Sequence, residues 1–416
     1  MINIALIGCG RILAAHLRGY RLLREAGFRD FRIAALCARK ETDAWSYINR
    51  GRAQRKPVSA IPGDPLAVGD EYLSDFQETD QVQVHADYRT LIADPRIDAV
   101  NDYTPHGMHH LVATEAFARR KHLLTQKPLG VTVEAARRMC DLAAAAGVTF
   151  GVFENARHRA DIQHARWAFD PSGNGPGGHP QMALLGNVGT WWAPNLVVAQ
   201  TPWRHQKILG GGLAIDLGVH QFHMVRTVCG EIQDVQATTA VIEPRRHILD
   251  TTGRSVEAID CDADDTFFAS FTARGGVTGT LFASFAGHGT NTVLAGGPVF
   301  YGSKGRAAGN QLHLDHQGAA LSLPALFNER ASARQKAESF PHGLADPFAI
   351  TQHLWLQGIR DGKQPALDGQ EGLVDLACAY AILESQTAGR RVNVKEVLSG
   401  DLATYQSPIN RHFQLT

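Results

Sequence analysis

The sequence predicts an α/β domain on a parallel sheet over residues 1–155, followed by an α+β domain with a large, mostly antiparallel, open-faced sheet over residues 156–416. Three observations carry this. The first third alternates apolar runs with amphipathic stretches, the pattern of βαβ units. Beyond about residue 155 the alternation shortens to period two. A length of 416 residues accommodates two or three domains, each with its own core.

In order along the chain, Ile2 to Ile7, Phe31 to Cys37, Ala99 to Tyr103, His122 to Thr125 and Val148 to Phe153 read as buried strands. Between them, Ile12 to Glu25, His109 to Arg119 and Val133 to Ala146 carry apolar residues at helical spacing. Gly27 and Gly147 sit where helices end in a left-handed residue. The segment from Gly51 to Phe76, with Pro57, Pro62 and Pro65, breaks the rhythm and is expected to be a surface excursion, either a lid or a contact arm. Phe169 to Met182 is a loop by composition. Thr266 to Ala273 and Val277 to Ala286, joined by Arg274-Gly275-Gly276, form the clearest hairpin. Helical spacing returns from Phe348 to Ala388, with C-terminal helices expected to pack back on the first domain.

Charge narrows the partners. The chain has 41 basic and 41 acidic residues, a formal net charge of zero, and so no broad field for a phosphate backbone or an anionic membrane surface. A small-molecule ligand is expected, with no nucleic acid and no membrane. The six cysteines are scattered without a C-x-x-C pair, no apolar run reaches the roughly 20 residues of a bilayer span, and the first residues already read as a strand rather than a leader. A cytoplasmic location is the expectation.

Gly8-Cys9-Gly10-Arg11-Ile12 leaves a buried strand and opens a helix, the context in which a dinucleotide pyrophosphate approaches bare backbone at a helix N-terminus. The third glycine of G-x-G-x-x-G would fall at Leu13, so an ordinary tight turn is the alternative. At the end of the second strand, Ala38 and Arg39 stand where an NAD enzyme usually carries an acid for the ribose hydroxyls. A small residue followed by Arg39 and Lys40 suits a 2′-phosphate and favours NADP over NAD.

Gln126-Lys127-Pro128 puts a lysine at a strand end, where ligands gather in open α/β sheets. Thr104-Pro105-His106 and His109 follow another strand and would cap a helix or line the nicotinamide side. In Gly210-Gly211-Gly212-Leu213-Ala214-Ile215-Asp216-Leu217-Gly218-Val219-His220, Asp216 and His220 are four apart on one helical face, with His223 three further on. A carboxylate beside an imidazole suits general acid–base chemistry; a surface ion pair and a metal site are the alternatives. Neither a fourth ligand nor a metal motif accompanies the trio, so no metal is expected. Asn155, Arg157, Trp203 and Arg204 are further polar and aromatic candidates near a cleft.

Together these segments resemble the Gfo/Idh/MocA oxidoreductases. The likeness runs through GCGRI, Thr104 to His109, Gln126-Lys127-Pro128 for the family's Glu-Lys-Pro, Asn155 and Arg157, Trp203-Arg204, GGGLAIDLGVH, and Gly302-Ser303-Lys304-Gly305. The resemblance implies a Rossmann domain holding NAD or NADP and an open-faced sheet domain that mediates homo-oligomerisation, as a dimer or tetramer. It also puts Lys127, Asp216 and His220 at the family's catalytic positions, with Asn155, Arg157, Trp203, Arg204 and His223 toward the substrate, and Gly8, Gly10, Arg11, Ile12, Ala38, Arg39, Thr104, Pro105, His106, His109, Gln126 and Lys127 toward the cofactor. The implied activity moves hydride between nicotinamide and a secondary hydroxyl of a sugar, glycoside or cyclitol. Two alternatives share the fold: a redox-neutral glycoside-cleaving enzyme with tightly bound NAD(H), and a non-catalytic nucleotide- and sugar-binding regulator. Leu13, Gln126, His223 and Ala38-Arg39 depart from the family pattern.

Overall fold

In the computed structural model the described residues are 1–53, 69–189, 192–250, 252–294 and 297–415. Residues 54–68, the middle of the excursion expected at 51–76, lie outside them. The chain forms two compact units. One comprises Met1–Val131, Ala135–Asn155 and Phe340–Leu373; the other comprises Thr132–Glu134, Ala156–Ser339 and Val374–Thr416.

The first unit holds a six-stranded parallel sheet of β1 (Ile2–Ile7), β2 (Phe31–Cys37), β3 (Gln83–His85), β4 (Ala99–Asp102), β5 (His122–Gln126) and β6 (Phe150–Phe153), in the order β3-β2-β1-β4-β5-β6. Strands β2, β4 and β6 are buried along nearly their whole length because crossover helices cover both faces. Those helices are α1 (Leu13–Glu25), α2 (Glu41–Trp45), α3 (Tyr88–Ala93), α4 (His106–Ala118) and α5 (Val133–Ala146). α1 ends against Gly27 at φ +93° and α5 against Gly147 at φ +66°, the left-handed positions that favour glycine. β3 was not anticipated: three residues, all half-buried, give too short a period to read. α4 begins three residues earlier than its spacing suggests, because Pro105 with φ −58° starts it. The helix Pro347–Asp361 belongs to this unit, where Trp355 donates to the Leu123 carbonyl at 3.1 Å and Gln352 to the His16 carbonyl at 3.0 Å. The strand order reverses between β1 and β4, and the carboxyl ends of those strands form the topological switch point at which ligands of such sheets bind.

The second unit is built on a ten-stranded sheet. In chain order come α6 (Ala160–Ala168), β7 (Pro180–Val188), α7 (Val219–Cys229) and β8 (Ile232–Ala240). A separate hairpin pairs β9 (Arg245–Leu249) with β10 (Ser255–Asp260). Next are β11 (Thr266–Ala273), β12 (Thr278–Ser284), β13 (Thr292–Val293), β14 (Val299–Gly302), β15 (Gly305–Ala308), β16 (Gln311–Leu314), β17 (Leu321–Ser322) and β18 (Val392–Asn393). The sheet runs β17-β16-β15-β14-β7-β12-β11-β8-β18 with β13 beside β7, and β12 with β7 is its parallel pair. The expected hairpin is β11–β12, in register Phe268 to Phe282. Its alternation separates a buried face, with Phe267, Phe271 and Leu281, from an open one on which Phe268 and Met182 are exposed. α7 lies on the buried face, where Phe222 meets Phe271 edge-on. No helix among the described residues is long and apolar enough to cross a membrane.

Candidate active site

In the first unit the chain leaves β1 through Gly8, at φ +99°, where a Cβ would lie 2.8 Å from the Tyr103 carbonyl; only glycine fits. Gly10 is the opposite case: a Cβ there would meet nothing within 4 Å. A strand-end turn with one glycine compelled by the fold and the next bordering open space at the start of α1 fits a dinucleotide pyrophosphate. Arg11 and Ile12 are half-buried beside it, and the Tyr47 hydroxyl braces it by donating to the Gly10 carbonyl at 2.8 Å. Sequence reasoning missed Tyr47, which follows α2 and reaches this turn only through the fold. Beyond β2, Ala38 is buried while Arg39 and Lys40 are exposed.

The ends of β4 and β5 are tied together. Asp102, buried, accepts from the Thr104 N–H and hydroxyl on one oxygen and from the Thr125 hydroxyl on the other. The wholly buried His109 ring directs Nδ1 at the Pro128 and Leu129 carbonyls (3.1 and 3.3 Å) and Nε2 at the Thr104 carbonyl (3.0 Å). His109 therefore ties the Thr104-Pro105 turn to the segment that follows Lys127. Pro105 is exposed at the head of α4 and His106 is buried behind it. Lys127 follows the last residue of β5 and is half-buried, with a cis peptide to Pro128.

Gln126 donates through Nε2 to His16 Nε2 at 2.6 Å. His16 is fully buried, stacked on Tyr103 at 3.9 Å, and burial pushes its imidazole well below the usual range. The neutral amide of Gln126 suits a neutral buried ring. His16 is the second residue missed by the sequence reading, since its role depends on a partner 110 positions away.

In the second unit, Gly210 (φ +75°) and Gly212 (φ +130°) turn the chain tightly under the Trp203-Arg204 segment. The Gly212 N–H donates to the Arg204 carbonyl at 2.9 Å, and a Cβ on Gly211 would collide with the Trp203 and Arg204 carbonyls. Then comes a π-helical turn, Ala214–Gly218, which passes into α7. The spacing argument for Asp216 and His220 assumed an α-helix, so the wider turn alters their angular relation. The half-buried Asp216 accepts from Arg204 Nε at 3.0 Å, and Arg204 stacks on Trp203 at 4.3 Å. His220 is half-buried in the first turn of α7.

His223 is fully buried. Its Nδ1 lies 2.6 Å from Asp375 Oδ2, and the other oxygen of Asp375 takes Arg226 Nη1 at 2.6 Å. The carboxylate of a distant helix thus fixes one ring nitrogen of His223, while Nε2 is buried with no hydrogen-bond partner among the described residues. Arg157 Nε reaches the Thr227 hydroxyl at 3.4 Å and so leans on α7, whereas Asn155, half-buried after β6, belongs to the first unit. Lys127 lies in the first unit; Asp216 and His220 lie in the second.

Residues 64–154 match the oxidoreductase family with an NAD-binding Rossmann fold, and residues 181–308 match the GFO/IDH/MocA C-terminal domain. The chain is 26% identical over 229 residues to a D-xylose dehydrogenase from Paenarthrobacter nicotinovorans, a match covering 54% of this chain and 58% of that one, little more than half its length. It is 26% identical over 324 residues to a levoglucosan dehydrogenase from Pseudarthrobacter phenanthrenivorans, covering 74% and 78%. The solved structure of a levoglucosan dehydrogenase in complex with NADH and levoglucosan superposes with a TM-score of 0.70 at 19% identity, over 94% of this chain and 98% of the other, a likeness of fold. The two matched regions together span more than half of the sequence, one in each unit, and the chain belongs to the Gfo/Idh/MocA family of NAD-dependent oxidoreductases.

Proposed function

We propose that the protein oxidises a secondary hydroxyl of a sugar, glycoside or cyclitol with a nicotinamide cofactor, or runs the reverse reduction. His220 takes the hydroxyl proton, the carbon-bound hydrogen leaves with its electron pair, and a ketone remains. A nicotinamide cofactor held at the Gly8–Ile12 turn would supply the hydride acceptor. Lys127 supplies a positive charge and hydrogen-bond donors toward the reacting oxygen, and Asp216, anchored by Arg204, orients and tunes His220. The observation that carries this reading is the retention, within a dehydrogenase family, of an amine after β5 and a carboxylate–imidazole pair at the head of α7. The activities of the xylose and levoglucosan relatives support the substrate class.

Gly8, Gly10, Arg11 and Ile12 hold the pyrophosphate. Ala38, Arg39 and the adjoining Lys40 give the adenosine end its charge, which favours NADP over NAD because a guanidinium pairs with a 2′-phosphate. Asn155, Arg157, Trp203, Arg204 and His223 line the substrate side, with Arg204 also holding Asp216, Arg157 the Thr227 hydroxyl and His223 the Asp375 carboxylate. The exposed apolar residues on the open sheet face support a homo-oligomer. The test is a panel of sugars and cyclitols with NAD and NADP, followed at the nicotinamide absorbance, for wild type, Lys127→Ala and His220→Ala. Each variant is expected to lose turnover by about 10²–10⁴-fold, with cofactor affinity changed only a few-fold. Near-full turnover in both would defeat the assignment.

A further inference from the structure

The segment between β10 and β11 carries two consecutive buried carboxylates outside this catalytic scheme, Asp264 and Asp265. Asp265 is explained by its contacts: it accepts from the Ile242 and Glu243 N–H groups at 2.9 and 2.8 Å and from Arg246 Nη2 at 3.0 Å. Asp264 is not. Its Oδ2 accepts the Ala214 N–H at 2.8 Å and its carbonyl accepts the Leu213 N–H at 2.8 Å, but its Oδ1 is buried with no hydrogen-bond partner among the described residues. A half-satisfied buried carboxyl is costly, and an amide would accept the same N–H without the charge.

Its location gives that cost a use. Leu213 and Ala214 begin the π turn that carries Asp216 and leads into His220, and a helix start has N–H groups with no partner inside the helix. Side chains advance by about 100° per residue in an α-helix, so a slip of one residue at this start would re-aim His220. The same oxygen that lacks a partner lies against Gly212, where any Cβ would collide with it. Glycine turn, π turn and carboxyl therefore fit only together.

We propose that Asp264 is a positioning residue for the reaction: by anchoring Leu213 and Ala214 it fixes where the π turn begins and hence where Asp216 and His220 stand. The inference rests on the reading of those two as the reacting groups. Burial pushes the Asp264 carboxyl up to about 7 even though the Ala214 N–H favours its charged form, and the neighbouring Asp265 pushes the same way. The phenols of Tyr380 and Tyr405 also feel it, and Asp262 and Glu384 in turn act on Tyr405. The anchor thus loses its charge-assisted character as pH falls through neutrality.

The experiment compares Asp264→Ala and Asp264→Asn with wild type and His220→Ala, each first shown to melt cooperatively. Asp264→Ala is expected to lower kcat about 10–100-fold while the dissociation constant for NADH and the KM for sugar change less than about threefold. Asp264→Asn, whose side-chain oxygen still accepts from Ala214, should recover to within about fivefold of wild type and show a flatter kcat profile between about pH 6 and 8, having no proton to lose there. A folded Asp264→Ala with wild-type kcat, or an Asn variant as slow as the Ala variant, overturns the proposal. If the Ala variant does not fold, an Asn profile that superimposes on wild type overturns it. Full turnover in His220→Ala would instead strike the reading beneath it.

Discussion

Two glycine turns in this chain look alike in sequence and do opposite things. At Gly8-Cys9-Gly10 the fold compels the first glycine, through the Tyr103 carbonyl, and leaves open space at Gly10. At Gly210-Gly211-Gly212 the protein's own atoms occupy the space a side chain would take, the Trp203 and Arg204 carbonyls at Gly211 and the Asp264 carboxyl at Gly212. One turn borders open space; the other lets three stretches of chain close around the start of a helix. Composition cannot distinguish them, because glycine records only that a Cβ is unwelcome and not what displaces it.

The contrast breaks most readily at Gly10. Gly10→Val should weaken NADH binding about 10–100-fold, since the branched side chain enters the space meant for phosphate, yet leave the melting temperature within a few degrees because nothing in the protein is touched. Titration of NADH fluorescence beside a thermal melt checks both halves. Gly212→Ala should do the reverse. Its left-handed φ and the collision with Asp264 are expected to cost about 1–3 kcal/mol, a Tm drop of several degrees, and to cut kcat about tenfold while NADH affinity stays within about twofold. Equal effects of the two substitutions on cofactor affinity would erase the distinction.

A finer question lies at the adenosine end of the first turn. Arg39→Ala is expected to weaken NADP about tenfold and NAD less than about twofold, because it removes a charge-assisted phosphate contact that NAD does not make. Equal losses, measured as KM ratios, would remove the NADP preference from the account.

A pH-dependent effect concerns stability. Asp264 binds its proton more tightly folded, near 7, than a carboxyl in an unfolded chain, near 4. The folded state is therefore penalised as pH rises from about 4 through 7, and the whole penalty is present above 7. Asp264→Asn lacks this linkage, so its melting temperature should gain on wild type steadily between about pH 5 and 8. A constant difference across that range would show that the carboxyl titrates normally.

Much of the first unit was legible because its signals are local. Strands β1 and β2 are mostly apolar over six and seven residues, and the Gly8 turn and Lys127 both fall at strand ends. The second unit yielded its sheet by the same logic, through the alternation of Phe267, Phe268, Ala269 and Phe271 in β11. What stayed hidden depends on distant partners. His223 appeared to share a face with His220, but Asp375, 152 residues on, fixes it in the interior. Asp264 lies 50 residues from the N–H it accepts. The π turn also escaped notice, since a single widened turn leaves no mark on a 3.6-residue period. His16 and Tyr47 were overlooked for the first reason: each acts on a neighbour brought in by the fold.

In the proposed reaction a hydride leaves a sugar carbon while His220 takes the hydroxyl proton. The most direct measurement uses a carbon-deuterated sugar chosen from the responding panel and follows label into the reduced nicotinamide by mass spectrometry. Deuterium should appear at the nicotinamide with wild type and fall by orders of magnitude in His220→Ala at unchanged cofactor occupancy. Undiminished label transfer in that variant, or none from any sugar or cyclitol with wild type, would contradict the account.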